Sequence, residues 1–358
     1  GSTALVTGDR ELARRVSGEL RRFGIEADDS GGTPLGVTPP ATLLTLALDV
    51  ALRPGDAVAI LSLLKHPLLC AGMARNHARR AAETIELVAM RGGVGRPDIV
   101  DLAALFEERL AALAGDSRKP FWLARLSPQR LDDARNLLGA VAAATAPLAA
   151  LRASTSSLAE LSRTSVVALE ALGRDETGSL SELYRGDAGE ALIAFLRGLV
   201  GATAELAIEA GEWPDVLAAL IAGEAVKPSF TGDHRIAIWG ALEARLQSVD
   251  TLVLGGLNEG SWPRKAEPDR FMSRFMKAGL ELEPPERRIG LAAHDFVMAL
   301  GAPKVVLTRA ARAGDAPALP SRWLQRLQTF AGKDALAGAA PRGAALLSWA
   351  RDLDKCDS

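Results

Sequence analysis

Residues 249–263 read Val-Asp-Thr-Leu-Val-Leu-Gly-Gly-Leu-Asn-Glu-Gly-Ser-Trp-Pro, and no other segment restricts the fold as sharply. Val249 to Leu254 is a short aliphatic and β-branched run stopped by Gly255 and Gly256, the pattern of a buried strand. Such a strand belongs in a sheet with both faces covered, so the segment predicts a parallel α/β layer. The two glycines end the strand without a Cβ clash and let backbone approach whatever lies above its carboxyl end. Asn258 and Glu259 offer polar groups at that edge, and Trp262-Pro263 makes a stiff aromatic exit. A strand-to-loop turn of this kind suits any α/β protein, so it constrains the fold before it says anything of function.

The same period recurs at the start of the chain. Leu5 to Thr7 predicts a strand, and Asp9 is placed to cap a helix with Leu12, Val16, Leu20 and Phe23 along one stripe. Gly24 is placed to end that helix. The turn formers of residues 28–34 then leave the α/β layer. From Pro39 to about Val226 nearly every segment is helical in period and rich in Ala, Leu, Glu and Arg, with no repeating unit. Aromatics are only 4% of a chain that is 48% hydrophobic, so alanine and leucine must fill this core. The α/β pattern returns with residues 235–239 and 249–254. Next comes a helix carrying Ile289, Ala292, Ala293, Phe296, Val297 and Leu300 on one face, then a strand at Lys304–Leu307. The residues divide into an α/β domain made of 3–38 and 228–330, an all-helical insertion over 39–227, and a linker or helix over 331–358. The ends of the insertion must then lie close together.

Several chemistries are missing. No G-x-x-x-x-G-K-[ST] phosphate loop occurs, since the only Gly-Lys pair, Gly332-Lys333, is followed by Asp334. The four histidines are scattered, without acidic or cysteine neighbours at ligand spacing, so no metal site is expected. Cys70 and Cys356 are the only cysteines, which argues for a reducing, cytoplasmic compartment and against a disulfide framework. No uninterrupted apolar run reaches the ~18 residues of a membrane span. A formal charge of −2 directs any nucleic-acid contact to a local patch.

The string Gly-Gly-Leu-Asn-Glu-Gly-Ser-Trp-Pro at 255–263 resembles the Gly-Leu-x-Glu-Gly-x-x-Pro segment in the second motor lobe of superfamily 1 helicases. The chain is most similar there to the B subunits of AddAB-type helicase–nucleases. Residues 236–247 are similar to the Gly-x-x-Glu coupling element of these motors, and Pro285 to Phe296 to their Glu-Arg-Arg helix. Ala4 to Arg10 looks like the strand and turn that open the lobe. The direct resemblance covers roughly residues 3–36 and 232–328. It implies a RecA-like parallel-sheet second motor lobe interrupted by the helical insertion, as an internal piece of a subunit that processes double-strand breaks for recombinational repair. The whole complex would use ATP and Mg, and its partners would be DNA, as broken ends and single strand, and an AddA-type subunit.

By this resemblance Glu243, Arg287 and Arg288 occupy the nucleotide-coupling positions. In active motors an arginine eight residues beyond the second Arg contacts the γ-phosphate, a role worth several orders of magnitude in rate. Phe296 stands at that position here. Arg309 lies 21 positions beyond Arg288 and follows the next strand, so it is not the equivalent. Glu243 lies about a helical turn too far from Gly256. The parent subunit resembles an ATP-dependent helicase and exonuclease, whereas this region is expected to hold no catalytic residue, cofactor or metal of its own. Its expected role is DNA guidance and subunit contact, through Asn258, Glu259, Trp262, Arg264, Lys265 and Arg270. Two alternatives are a catalytically active superfamily 1 lobe and a helical protein–protein scaffold without DNA affinity.

Overall fold

The computed structural model describes residues 1–93, 95–203, 206–227, 235–265, 271–283 and 285–355. The chain opens with β1 (Thr3–Val6), α1 (Arg10–Arg22) and β2 (Asp28–Asp29). Eight α-helices follow among the described residues: α2 (Pro39–Leu52), α3 (Ala57–Leu64), α4 (Arg75–Ile85), α5 (Leu102–Gly115), α6 (Pro128–Ala149), α7 (Leu158–Gly173), α8 (Gly186–Val200) and α9 (Trp213–Ile221). Then come β3 (Ile236–Trp239), β4 (Thr251–Leu254), α10 (Arg274–Gly279), α11 (Pro285–Ala299), β5 (Lys304–Leu307) and α12 (Arg322–Leu353). Two compact units result, residues 1–31 with 229–358, and residues 32–228.

In the first unit five strands form one parallel sheet in the order β2-β3-β1-β4-β5. β1 is central, although β3 and β4 lie more than 200 residues away in sequence. The register aligns Ala4 with Ala237 and Leu252, and Val6 with Trp239 and Leu254. That alignment puts the small and aliphatic side chains of Ala4, Val6, Ala237, Leu252 and Leu254 in one buried cluster with Phe296 of α11 and Trp323 of α12. Ile289, Ala292, Ala293 and Ala299 of α11, and Leu300 just beyond it, pack against it. Val297, expected on that face, is 63% exposed, and Ala299 takes its place.

Asp9 caps α1 as its position suggested, its carboxylate accepting from the amides of Glu11 (3.0 Å) and Leu12 (3.1 Å). Ala13 is the fully buried residue of α1, while Phe23, the end of the expected stripe, is 58% exposed. α12 is kinked at Gly332, whose φ of 76° breaks the helical path.

The helical unit is closed at its neck by a short antiparallel pairing of Thr33 with Val226 and of Pro34 with Ala225. Leu35 N–H adds a bond to Glu224 O at 2.9 Å. Residues 32–38 therefore belong with the helices, and the division falls at 31/32 rather than at 38/39. Alanine and leucine do fill the interior, with Ala41, Leu43, Leu44, Ala47 and Leu48 of α2 at 0% exposure. On α4 and α6, which pack together, Ala78, Ala81, Ala82 and Ala134 are buried. Small side chains at such positions let helix axes approach closely.

Arg152, beyond the end of α6, ties three segments of this unit. Its guanidinium donates to Ala51 O (2.5 Å) and to both carboxylate oxygens of Asp98 (2.5 and 2.8 Å). The hydrogen bond from Arg152 holds the Asp98 carboxyl below its usual value of 3.8. A carboxyl with a depressed folded pKa stabilises the fold above its unfolded pKa, and that stabilisation is lost as pH falls through the folded value. The stability gap between wild type and Asp98→Asn is thus expected to be constant near neutrality and to shrink below pH 3.8. Thermal melts of both proteins across that range measure it, and a gap that does not change with pH would refute the assignment.

Candidate nucleic-acid interface

α1, which follows β1, and α11, which precedes β5, lie on opposite faces of the sheet. Leu5 of β1 and Leu12 of α1 meet on one face, beside Gly255, and Val6 and Leu254 join the α11 cluster on the other. In open parallel sheets the carboxyl edge at such a reversal is where ligands sit. Here that edge carries Thr7, Gly8 and Asp9 after β1, and Gly255 to Lys265 after β4.

The two glycines are needed for different reasons. A Cβ on Gly255 would lie 2.7 Å from Leu5 Cδ1 and 3.2 Å from Leu12 Cδ2, whereas Gly256 has φ +71°. The chain then turns back on itself, with Ser261 N–H and Trp262 N–H both donating to Asn258 O (3.1 and 3.0 Å). At the start of α1 the helix amides point to the Asp9 carboxylate. An anion approaching that terminus meets a negative charge already in place.

Trp262 does not present a stacking face. The side chain is 3% exposed, its Nε1–H donates to Gly255 O at 3.1 Å, and its ring packs edge-on against Phe296 (6.2 Å, 63°) and Trp323 (6.4 Å, 74°). The expected base-stacking role is therefore corrected to a packing role. Burial of its large apolar area on the sheet outweighs any exposed contact the loop offers.

Asn258 and Glu259 are likewise committed within the chain. Asn258 Nδ2–H donates to Ala310 O (2.8 Å) and Leu319 O (3.2 Å), and its Oδ1 accepts from Ala310 N–H (2.9 Å). Glu259 accepts from Arg322 Nε–H (3.1 Å) and from the Arg322 amide at the start of α12 (3.2 Å). The Arg322 guanidinium holds the Glu259 carboxyl below its usual range. Both residues fasten the segment that follows β5 to the loop that follows β4. The structure thus engages both of these expected DNA-binding residues in contacts within the chain.

Arg264 and Lys265 remain exposed on this loop, without an acidic partner among the described residues. Arg270 lies outside the described residues. Sequence reasoning missed Arg312 and rejected Arg309 as a γ-phosphate ligand. Both are exposed on the segment after β5 that Asn258 fastens, so both share the carboxyl edge with Arg264 and Lys265. Their position just past the Lys304–Leu307 strand was the available signal.

The nucleotide-coupling trio is not brought together. Glu243 is exposed, with its carboxylate lying over Gly240, while Arg287 pairs with Glu283 at 3.1 Å on the first turn of α11. Arg288 is exposed on the same turn. The contact between the Glu243 segment and α11 is instead Arg245 with Asp295, a bidentate pair at 2.7 and 2.9 Å. Asp295 lies about 10 Å along the helix from Arg288.

A cavity of about 570 Å³ opens on the Val6 side of the sheet, lined by Val6, Trp239, Leu252, Trp262, Met298 and the Arg245–Asp295 pair among others. Its mainly apolar wall does not match a phosphate. Among the described residues no cluster of three or more metal-ligating side chains occurs, and no helix is long and apolar enough to cross a membrane. Neither models of protein families nor curated proteins match the chain in sequence.

Proposed function

We propose that this chain is part of the B subunit of an AddAB-type helicase–nuclease, acting in the recombinational repair of double-strand breaks. In this reading the sheet unit is a RecA-like second motor lobe, the helical unit is an insertion within it, and the complex is cytoplasmic. The region guides DNA and contacts the AddA-type subunit, and the ATP and Mg chemistry of the complex lies elsewhere. The observation that carries the reading is the Gly255–Pro263 loop at the carboxyl end of β4, next to the strand-order reversal, with Arg264 and Lys265 exposed beyond it. Phe296 supports the separation from nucleotide chemistry. It occupies the position at which the motors carry a γ-phosphate arginine, and it is 4% exposed between Trp262 and Trp323.

The test is the affinity of the assembled complex for tailed DNA as a function of salt, comparing wild type with Arg264→Ala/Lys265→Ala. If both side chains meet single-strand phosphates, the slope of log affinity against log salt falls by about 1.4. Trp262 is left in place, since its loss would disturb the sheet. An unchanged slope in a folded double variant would remove DNA guidance from this loop and leave subunit contact as its role.

A further inference from the structure

The loop between α5 and α6 carries the sequence Asp116-Ser-Arg-Lys-Pro-Phe-Trp-Leu-Ala-Arg-Leu-Ser127. Asp116 Oδ1 accepts from Arg118 N–H at 2.8 Å, which turns the chain out of α5. Leu123 N–H donates to Pro120 O (3.0 Å) and Arg125 N–H to Trp122 O (3.0 Å), closing a 3₁₀ turn over Leu123–Arg125. That turn sorts the side chains. Trp122 and Leu126, four apart, pack against the helical core. Phe121 and Arg125, also four apart, point outward, with Phe121 77% exposed and the Arg125 guanidinium 5.5 Å from its ring centre.

The exposed ring gains nothing from folding, so the free energy of its burial is left to be gained on contact with a partner. Two further cations, Arg118 and Lys119, precede it in the same loop. Arg118, Lys119 and Arg125 are all exposed, and none has a carboxylate partner among the described residues. An exposed ring beneath a guanidinium, with further exposed cations in the same loop, matches a polyanion with unstacked bases.

We infer that the Asp116–Ser127 loop is a contact for single-stranded nucleic acid, with Phe121 as the base-stacking face and Arg118, Lys119 and Arg125 as phosphate-binding cations. The inference stands apart from the family reading, because it uses the helical unit alone and none of the residues after β4. Each phosphate held by a cation releases condensed counterions, so the contact is salt-dependent. The stacking increment belongs to the base and is absent for a duplex, whose bases are already stacked.

The experiment is a fluorescence-anisotropy titration of the full chain with a labelled oligothymidylate of about 15 nucleotides, near the upper site size of such grooves, over a range of salt. Phe121→Ala is expected to weaken binding about 5- to 150-fold, while Phe121→Trp retains it. Arg118→Ala/Lys119→Ala is expected to lower the salt slope by about 1.4. Binding to a blunt duplex should not distinguish Phe121→Ala from wild type. Since Phe121 lies at the surface, unchanged melting of each variant confirms that folding is intact. Salt-independent or undetectable binding by wild type overturns the inference. So does equal affinity of wild type and Phe121→Ala, which would leave the ring as part of a protein contact. Arg264→Ala/Lys265→Ala in the same assay keeps the two sites distinct: its result bears on the β4 loop and leaves the Phe121-dependent increment unchanged.

Discussion

Replacing Trp262 by alanine is expected to destabilise the sheet unit by about 3–5 kcal/mol, the range for truncating a large buried aromatic. The ring is 3% exposed and is one of three aromatics in mutual contact, with Phe296 and Trp323 only 5.7 Å apart. Its removal leaves both without a facing edge on one side. The loss also strips Gly255 O of its bond from Nε1, a smaller contribution of about 1 kcal/mol. Trp262→Phe separates the two effects, since it keeps most of the ring and forfeits only the bond and the difference in volume. Native-state hydrogen exchange of the β1 and β4 amides reads the opening free energy of this unit apart from that of the helical one. Exchange that is unchanged in Trp262→Ala, together with weaker DNA binding, would place the ring on the surface and restore it as a stacking residue.

In the helical unit the corresponding anchor is Trp213, and Trp213→Ala is expected to cost about 3–5 kcal/mol there. Its side chain is 0% exposed, and Nε1–H donates to Ser165 Oγ at 2.9 Å, while Ser165 in turn donates to Leu161 O at 2.6 Å. The two bonds join the first residue of α9 to the middle of α7 through a hydroxyl at 0% exposure, out of reach of bulk solvent. Trp213→Phe is expected to lose about 1–3 kcal/mol, because the ring volume is largely kept but an indole donor is withdrawn from a buried acceptor. Amide exchange in α7 and α9 gives both numbers. If Trp213→Ala costs less than Trp213→Phe, the surrounding helices collapse onto the site, and the anchor role is wrong.

The α/β layer and the helical stretch were legible because their signals are local. A run such as Thr251 to Leu254 closed by two glycines, or apolar residues recurring at 289, 292, 293, 296 and 300, reports its period within a few residues. The need for glycine at 255 and 256 was legible for the same reason, although only the fold distinguishes the close approach of Leu5 at the first from the positive φ at the second. The opposite held for the candidate site. Polar and aromatic residues after a strand look ligand-facing in sequence, yet Asn258 and Glu259 take their partners from residues 310–322 and Trp262 from residues 296 and 323.

A side chain's period in its own segment reports the type of element it belongs to, and so the sequence alone determined the main helices and strands, the alanine-rich core and the cap at Asp9, though not the edge strand β2, whose Asp28 and Asp29 read as turn formers. Whether a given face meets solvent or another element depends on contacts made tens to hundreds of residues away, which no local pattern encodes. Only the tertiary structure placed β1 between β3 and β4. It also turned Trp262 inward and left Arg264 and Lys265 outside. The physical reason is that a large aromatic gains most where it is fully removed from water, whereas a cation loses most there. The fold therefore separated residues that stand side by side in the sequence.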